Sequence, residues 1–383
     1  MDLPKKLQDK LQKRIENQSL RKLPNELNLI DFASNDYLGL SQDVNVFERA
    51  HEFLLELEIQ QNGATGSRLI SGNHSLYAQV EEFLTEFHDS ESALIFNSGY
   101  DANIGFFSSI PQRGDVILFD ELAHASIRDG ITMSNAKSYK FKHNDLANLE
   151  MLLKRVTSSK VGKSQDGHVY VVTESVFSMD GDSPDLKRIS ELATTFGVHL
   201  IIDEAHAVGV YGARGTGLVQ REEVGVFARI VTFGKALGCH GAAILGSEKL
   251  KEYLVNFARS FIYTTGLPPH SLATILLSYQ EMIHSRKQEA LRDNIEFFNE
   301  ELARLNLQKE FIKSDSAIHC CIISGNEHVK SIAKELQCQG FDVKPILSPT
   351  VAVGQERIRF CLHTYNSFAE ITDVLTMLRT FVS

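Results

Sequence analysis

The chain is poor in cysteine and holds no C-x-x-C pair. Cys239, Cys320, Cys321, Cys338 and Cys361 are five scattered thiols in 383 residues. An odd, dispersed set of this kind reads as reduced thiols of a cytoplasmic protein, not as a disulfide framework. No apolar run approaches the ~18 residues that cross a bilayer. The N-terminal stretch MDLPKKLQDKLQKRIENQ lacks the apolar core of a secretion signal and carries acids unsuited to a transit peptide. It reads as a weakly amphipathic helix docked on the body of the protein. A basic excess is missing too: 39 Lys and Arg stand against 49 Asp and Glu, a net charge of -10. That balance argues against a nucleic-acid-binding face.

Repeats and low-complexity segments are absent, and so are the common nucleotide and metal signatures. No G-x-G-x-x-G follows an early strand, and there is no G-x-x-x-x-G-K-[ST] or H-E-x-x-H. GARGTG (212–217) has its glycines in the wrong order, and DEAH (203–206) offers two metal ligands with nothing nearby to complete a set. Dinucleotide hydride transfer, P-loop phosphoryl transfer and zinc hydrolysis therefore lose their usual marks.

What is present is alternation. ALIF (93–96), DVILF (115–119), VYVV (169–172), HLII (199–202), RIVTF (229–233) and AAILG (242–246) are short, continuously apolar runs separated by helical patterns. Such runs mark strands buried on both faces of a mostly parallel sheet, and hence an α/β fold. DLKRISELATTFG (185–197) has helical spacing and stops on Gly197. A long helical pattern covers 271–306, broken off from what precedes it by Pro268-Pro269. AIHCCII (317–323), a helix near 327–339, FDVKPI, RIRFCL and a helix opening SFAE (367–370) follow. Ser367 and Glu370 fit a capping box. Length and pattern together predict an N-terminal segment over 1–45, a large domain over 46–270 and a smaller α/β domain over 271–383.

In open α/β sheets, ligands bind beyond the carboxyl ends of the strands. VYVVT ends in Glu174, followed by Ser175 and Ser178. HLII ends in Asp203, with His206 three residues on. RIVTF leads to Gly234 and Lys235, ALIF to the glycine turn NSGYDAN (97–103), and DVILF to Asp120 and His124. Singly, Asp203 reads as a helix cap, His206 as a surface histidine and NSG as an ordinary turn. Together they set a carboxylate, two histidines, a lysine and an anion cradle at one edge of one sheet. Lys235 lies in the otherwise apolar, glycine-rich stretch VTFGKALGCHGAAIL (231–245), and lysine is almost never buried without a partner. Desolvation disfavours its charged form and leaves a nucleophilic amine. Such an amine forms a Schiff base with the aldehyde of pyridoxal 5'-phosphate. That cofactor also needs a phosphate cradle, an acid for the pyridine nitrogen and a donor for the ring oxygen.

DFASNDYLGL (31–40), GSRLISGNH (66–74), NSGYDAN, DEAHAVGVYG (203–212), TFGKALG (232–238) and FIYTTGLPP (261–269) resemble the α-oxoamine synthases over nearly the whole chain. The resemblance implies the aminotransferase-like fold of pyridoxal phosphate enzymes (fold type I), with a smaller C-terminal α/β domain. It also implies a homodimer with active sites at the subunit interface. It makes Lys235 the cofactor-binding lysine, Asp203 the acid at the pyridine nitrogen, His206 the donor to the ring hydroxyl and His124 the histidine stacked on the ring. Gly99 and Tyr100 match the phosphate-loop positions. Ser178 and Thr232 match further cofactor contacts, and Thr264 a residue reaching the partner subunit's cofactor phosphate. On the substrate side, Arg359 matches the arginine that grips the amino-acid carboxylate. Thr350, Arg21, Asn35 and His124 match positions near the substrate.

Within the family, the motifs lean towards decarboxylative condensation of L-alanine with a pimeloyl thioester of coenzyme A or acyl carrier protein, in biotin biosynthesis. Glycine with acetyl-CoA, or serine with a long acyl-CoA, remain open as substrate pairs. An aminotransferase is disfavoured, since His206 replaces the tyrosine usual there for the ring hydroxyl. A non-catalytic relative would most simply lack Lys235 or Asp203. Two departures stand out. Lys235 is followed by Ala-Leu-Gly-Cys-His, where relatives often have Gly-Phe-Gly-Val and a small residue. The segment between Arg21 and Asp31 is short, as if a hairpin were trimmed. Both bear on the acyl-donor channel, not on the cofactor chemistry.

Overall fold

The computed structural model of the protein describes residues 3–21, 23, 28–158 and 167–382. The chain forms two compact units. One comprises Asn35–Ser178 and Ser183–Glu289; the other comprises Met1–Ser34, Met179–Asp182 and Ala290–Ser383.

The first unit is organised by a seven-stranded sheet of β1 (Ser92–Phe96), β2 (Val116–Asp120), β3 (Lys137–Phe141), β4 (Val169–Glu174), β5 (His199–Asp203), β6 (Ala228–Thr232) and β7 (Ala242–Gly246). The order across the sheet is β1-β7-β6-β5-β4-β2-β3. Only β7 runs against its neighbours, β1 and β6. The other pairs are parallel, so β2, β4, β5 and β6 end on the same edge. The apolar runs are continuous because alternate residues feed two different cores. On β5, Ile201 packs in a core with Phe106 and Ile127, whereas Leu200 and Ile202 pack in another with Leu153 and Ile189. Each fully buried side chain of this size contributes about 1.5–3 kcal/mol. A charge at Ile201, 0 % exposed, would break both its packing and its strand.

β3 has no counterpart among the apolar runs. Its KSYKF exposes Lys137 and Lys140 and buries only Phe141, the polar character of a protected edge strand. The helix Leu186–Phe196 begins where the Asp185 side chain accepts the Arg188 N–H at 3.0 Å. It ends at Gly197 with φ 62°, a left-handed cap that suits glycine. The helical pattern over 271–306 is two helices, Pro269–His284 and Lys287–Arg304, interrupted at Ser285, whose ψ of 170° is extended. No proline or glycine marks that break, so periodicity alone reads through it.

In the second unit, Lys344–Ile346, Arg357–Cys361 and Ile318–Ile322 form an antiparallel sheet with the Arg357–Cys361 strand in the middle. Helices Asn326–Cys338 and Phe368–Val382 accompany it. The expected capping box is present: Ser367 N–H donates to Glu370 Oε2 at 2.7 Å, and Glu370 N–H to Ser367 Oγ at 3.3 Å. Ile30–Asp31 pairs in parallel with Phe341–Asp342. The N-terminal helix, Lys5–Glu16, buries no side chain. Leu7, Leu11 and Ile15 remain exposed along one stripe within the single chain, while Asn17 and Gln18 just after the helix accept from Asn326 and Lys330. Much of the short stretch between Arg21 and Asp31, namely residues 22 and 24–27, lies outside the described residues. Among the described residues, no helix is long and apolar enough to cross a membrane.

Candidate active site

A cavity of about 250 Å³ opens at the shared carboxyl edge of the large sheet. Lys235, Asp203, His206, His124 and Thr232 line it, together with Gly99 and Tyr100. Asn103, Ser126, Glu174 and His240 complete much of the remaining polar wall. Ser178, Thr264 and Asn35 lie outside that lining.

Asp203 ends β5 and is 6 % exposed. Its Oδ1 accepts the Ala205 N–H at 2.9 Å, and its Oδ2 accepts the Asn103 amide at 2.9 Å. Asn103 also donates to Ser126 Oγ at 3.0 Å, and that hydroxyl lies 2.8 Å from His124 Nδ1. A polar chain thus runs Asp203–Asn103–Ser126–His124. His124 caps the helix Ala125–Met133, and its own N–H donates to Glu174 Oε1 at 2.6 Å. Protein packed around the ring lowers the His124 pKa below the usual histidine value; the Lys235 charge adds to this and Asp203 opposes it.

His206 Nδ1 lies 2.7 Å from Tyr37 Oη, and the Tyr37 hydroxyl donates to Asn35 Oδ1 at 3.1 Å. His206 and Asn35 thus meet on the Tyr37 hydroxyl. Asn35, expected near a substrate, therefore acts on the cavity wall through Tyr37. Thr264 accepts from the Asn97 amide at 3.1 Å, and Ser178 is half-buried in the turn after β4.

Lys235 is half-buried in the turn after β6. Backbone bonds close that turn: Gly238 N–H to the Lys235 carbonyl at 2.8 Å, Cys239 N–H to Phe233 at 2.8 Å and Phe233 N–H to Gly241 at 2.9 Å. Gly238 has φ +63°, and a Cβ there would come within 2.2 Å of the Ser41 nitrogen, so only glycine fits. Ala236 and Leu237 are buried, and the Cys239 thiol donates to the Leu237 carbonyl at 2.9 Å. The departure from the family pattern after Lys235 therefore packs inward, except that His240 reaches the cavity wall.

The helix Gly99–Ser109 begins at this wall, with Ser98 Oγ accepting the Asp101 N–H at 3.1 Å. The first N–H groups of a helix have no intrahelical acceptor and favour an anion. A Cβ on Gly99 would sit 3.6 Å from the Thr232 side chain, so the glycine keeps the gap between helix start and strand end open. An amine, a buried carboxylate, a histidine and an open anion cradle around one cavity fit pyridoxal phosphate.

In the second unit, Arg359 is 7 % exposed in the middle strand, opposite Cys320 and Lys344. Its Nη1 donates to Cys361 Sγ at 2.8 Å. Arg21 Nη2 donates to Thr350 Oγ1 at 3.3 Å, which brings together two residues that the sequence placed separately. Glu204 of DEAH serves the fold: it is 0 % exposed, accepts the Leu218 and Val219 N–H groups at 2.7 and 2.9 Å, and pairs with Arg229 at 2.5 Å. Among the described residues, no group of three or more His, Cys, Asp or Glu side chains could hold a metal.

The sequence reasoning missed Tyr37, Asn103, Ser126 and His240, and gave Glu174 no role. Tyr37 and Asn103 lay inside the motifs DFASNDYLGL and NSGYDAN, and their polar character beside a glycine turn was the available signal.

Residues 28–375 match the family of class I and II aminotransferases. An 8-amino-7-oxononanoate synthase of Emericella nidulans is 36% identical over 402 aligned residues, covering 100% of this chain and 97% of its own. The solved 8-amino-7-oxononanoate synthase of Francisella tularensis is 29% identical with a TM-score of 0.76, covering 92% of this chain and 98% of that one. The serine palmitoyltransferase of Sphingomonas wittichii reaches a TM-score of 0.88 at 25% identity, covering 100% of this chain and 98% of that one. A serine palmitoyltransferase solved with pyridoxal phosphate has a TM-score of 0.87 at 26% identity, with coverages of 98% and 96%. With this fold, this cavity and these relatives, the chain belongs to the class I and II aminotransferase family, within its pyridoxal phosphate-dependent acyltransferase branch, the α-oxoamine synthases that include the 8-amino-7-oxononanoate synthases.

Proposed function

We propose that the protein condenses L-alanine with a pimeloyl thioester, releasing carbon dioxide and the free thiol and forming 8-amino-7-oxononanoate for biotin biosynthesis. The observation that carries this reading is the 36% identity to a named 8-amino-7-oxononanoate synthase over the whole chain. Bound pyridoxal phosphate supplies an aldehyde that captures amines and a ring that accepts electron density from the substrate α-carbon. Lys235, Asp203, His206, His124, Gly99, Tyr100 and Thr232 would hold it, with Ser178, and with Thr264 serving the partner subunit of a homodimer.

Lys235 would hold the cofactor through its Nζ, and as a free amine it would take the substrate α-proton there. Asp203 would keep a proton on the ring nitrogen through its negative charge, and Asn103 fixes the orientation of that carboxylate. His124, on the cavity wall, would help hold the cofactor and would offer a hydrogen bond to the substrate carboxylate or acyl carbonyl. Arg359 grips the amino-acid carboxylate as a bidentate partner. Thr350 and Arg21 shape the substrate region, and Asn35 supports the cavity wall.

A second reading, serine with a long-chain acyl thioester, is favoured by one observation. The solved serine palmitoyltransferase aligns with a TM-score of 0.88, against 0.76 for the 8-amino-7-oxononanoate synthase. Steady-state assays of alanine, glycine and serine, each with pimeloyl-, acetyl- and palmitoyl-CoA, separate the two. Alanine with pimeloyl-CoA is expected to give the highest kcat/KM. Glycine should be about 10–200-fold poorer, the worth of one missing methyl in an apolar pocket. Serine with palmitoyl-CoA outperforming alanine with pimeloyl-CoA would replace this reading with the second.

A further inference from the structure

Three carboxyl groups end three neighbouring strands, and two of them, Glu174 and Asp203, line the cavity. Asp120 ends β2, Glu174 ends β4 and Asp203 ends β5. Glu174 and Asp203 are direct partners in the parallel register, and all three are buried, at 0 %, 3 % and 6 % exposure. The outer two have the donors that an anion needs. Asp120 accepts the Leu122 and Asn144 N–H groups at 2.8 and 3.1 Å and lies 2.9 Å from His143 Nδ1. Asp203 accepts from Ala205 and Asn103, both at 2.9 Å. Glu174, between them, accepts the His124 N–H at 2.6 Å. Glu174 and Asp203, buried on paired strands at one cavity, repel each other when both are charged, and a proton is best held by the one with the least compensation.

Resting on the reading of this cavity as the cofactor site, we infer that Glu174 works as a neutral carboxylic acid. It is a positioning residue that seats His124 at the cavity without adding a second negative charge beside Asp203. Burial raises its proton affinity well above the usual carboxylate value, and Asp203 and Asp120 raise it further; the His124 N–H and His143 act against this. The remaining charged or titratable groups on the cavity wall are Lys235, His206, His240 and Tyr100. An ionised Glu174 would compete with Asp203 for any positive charge in the cavity. A neutral one leaves that role to Asp203 and keeps a carbonyl oxygen to hold the turn that begins with His124.

Two measurements test the inference. Infrared difference spectra of the intact holoenzyme against the Glu174→Gln variant should show the carbonyl band of a protonated carboxylic acid, present in the wild type at neutral pH and missing in the variant. In parallel, pyridoxal phosphate affinity is measured by fluorescence titration of apoprotein. Glu174→Ala should bind about 10-fold more weakly, the scale of one lost hydrogen bond to a site-forming turn. Glu174→Gln, which keeps a neutral carbonyl acceptor, should recover most of that loss. A carboxylate band in place of the acid band, or a Gln variant as weak as the Ala variant, would overturn the inference. Failure of the wild type to take up pyridoxal phosphate would instead strike the cofactor reading itself, so the two failures are distinct.

Discussion

The amide of Asn103 donates to Oδ2 of Asp203 at 2.9 Å, from a helix to the end of a strand a hundred residues further along the chain. The same amide nitrogen donates to Ser126 at 3.0 Å. Asp203 is therefore held in one orientation by a side chain that cannot itself take up a proton.

Asp203→Asn tests what that orientation serves. The variant keeps shape and size but loses the negative charge, and Asn103 then faces another amide. Exchange of the alanine α-proton with solvent deuterium, followed by NMR, should slow by about 100-fold or more, as when one preorganised electrostatic contact is removed. Exchange at the wild-type rate would assign the support of the cofactor ring nitrogen to another group.

Lys235→Ala should abolish the visible absorbance of the purified protein and lower turnover by at least roughly 10²–10⁴-fold, since covalent tethering and proton transfer are lost together. Borohydride treatment of the wild type, followed by peptide mass mapping, should place the reduced cofactor adduct on Lys235. An adduct on another lysine would move the site.

The sheet and most of the cavity were legible because both announce themselves locally. Apolar runs such as HLII mark doubly covered strands, and the residue after each run lies at the ligand edge. The edge strand Lys137–Phe141 was not legible, since three of its five positions are exposed. Its pairing depends on the register with β2, not on its own hydropathy. The break at Ser285 carries no helix-stopping residue. Asn103 and Ser126 entered the site through contacts spanning 100 and 23 residues of sequence, which no local pattern encodes. Glu174 was visible as a strand end, but its meaning rests on Asp120 and Asp203 standing on either side, a consequence of strand order.

Arg229 and Glu204 are buried to 5 % and 0 % exposure, and two guanidinium nitrogens reach Glu204 Oε2, at 2.9 and 2.5 Å. Arg229 also donates to the carbonyls of Thr216 and His88 at 2.8 and 3.2 Å. Arg229→Ala leaves Glu204 charged and buried, with only backbone donors, and should cost about 3–5 kcal/mol of stability. Chemical denaturation of the holoenzyme measures it. A loss below about 1 kcal/mol, the scale of an exposed ion pair, would show that the pair is not needed to hold the DEAH loop.

The thiols should divide sharply in reactivity, because alkylation proceeds through the thiolate. Cys338 is exposed on the helix Asn326–Cys338, whereas Cys320, Cys321 and Cys361 are buried. Cys239, half-buried beside the turn of Lys235, donates to the Leu237 carbonyl and lies 3.1 Å from Ser278 Oγ, and burial pushes its thiol up to about 12. At pH 8, only about one part in ten thousand of such a thiol is ionised. Iodoacetamide should therefore modify Cys338 rapidly in the native protein and spare the other four, with all five reacting after unfolding. Mass mapping of the labelled peptides reads the outcome directly. Rapid labelling of Cys239 in the folded enzyme would mean that the turn carrying Lys235 opens to solvent far more often than its closed set of backbone hydrogen bonds allows.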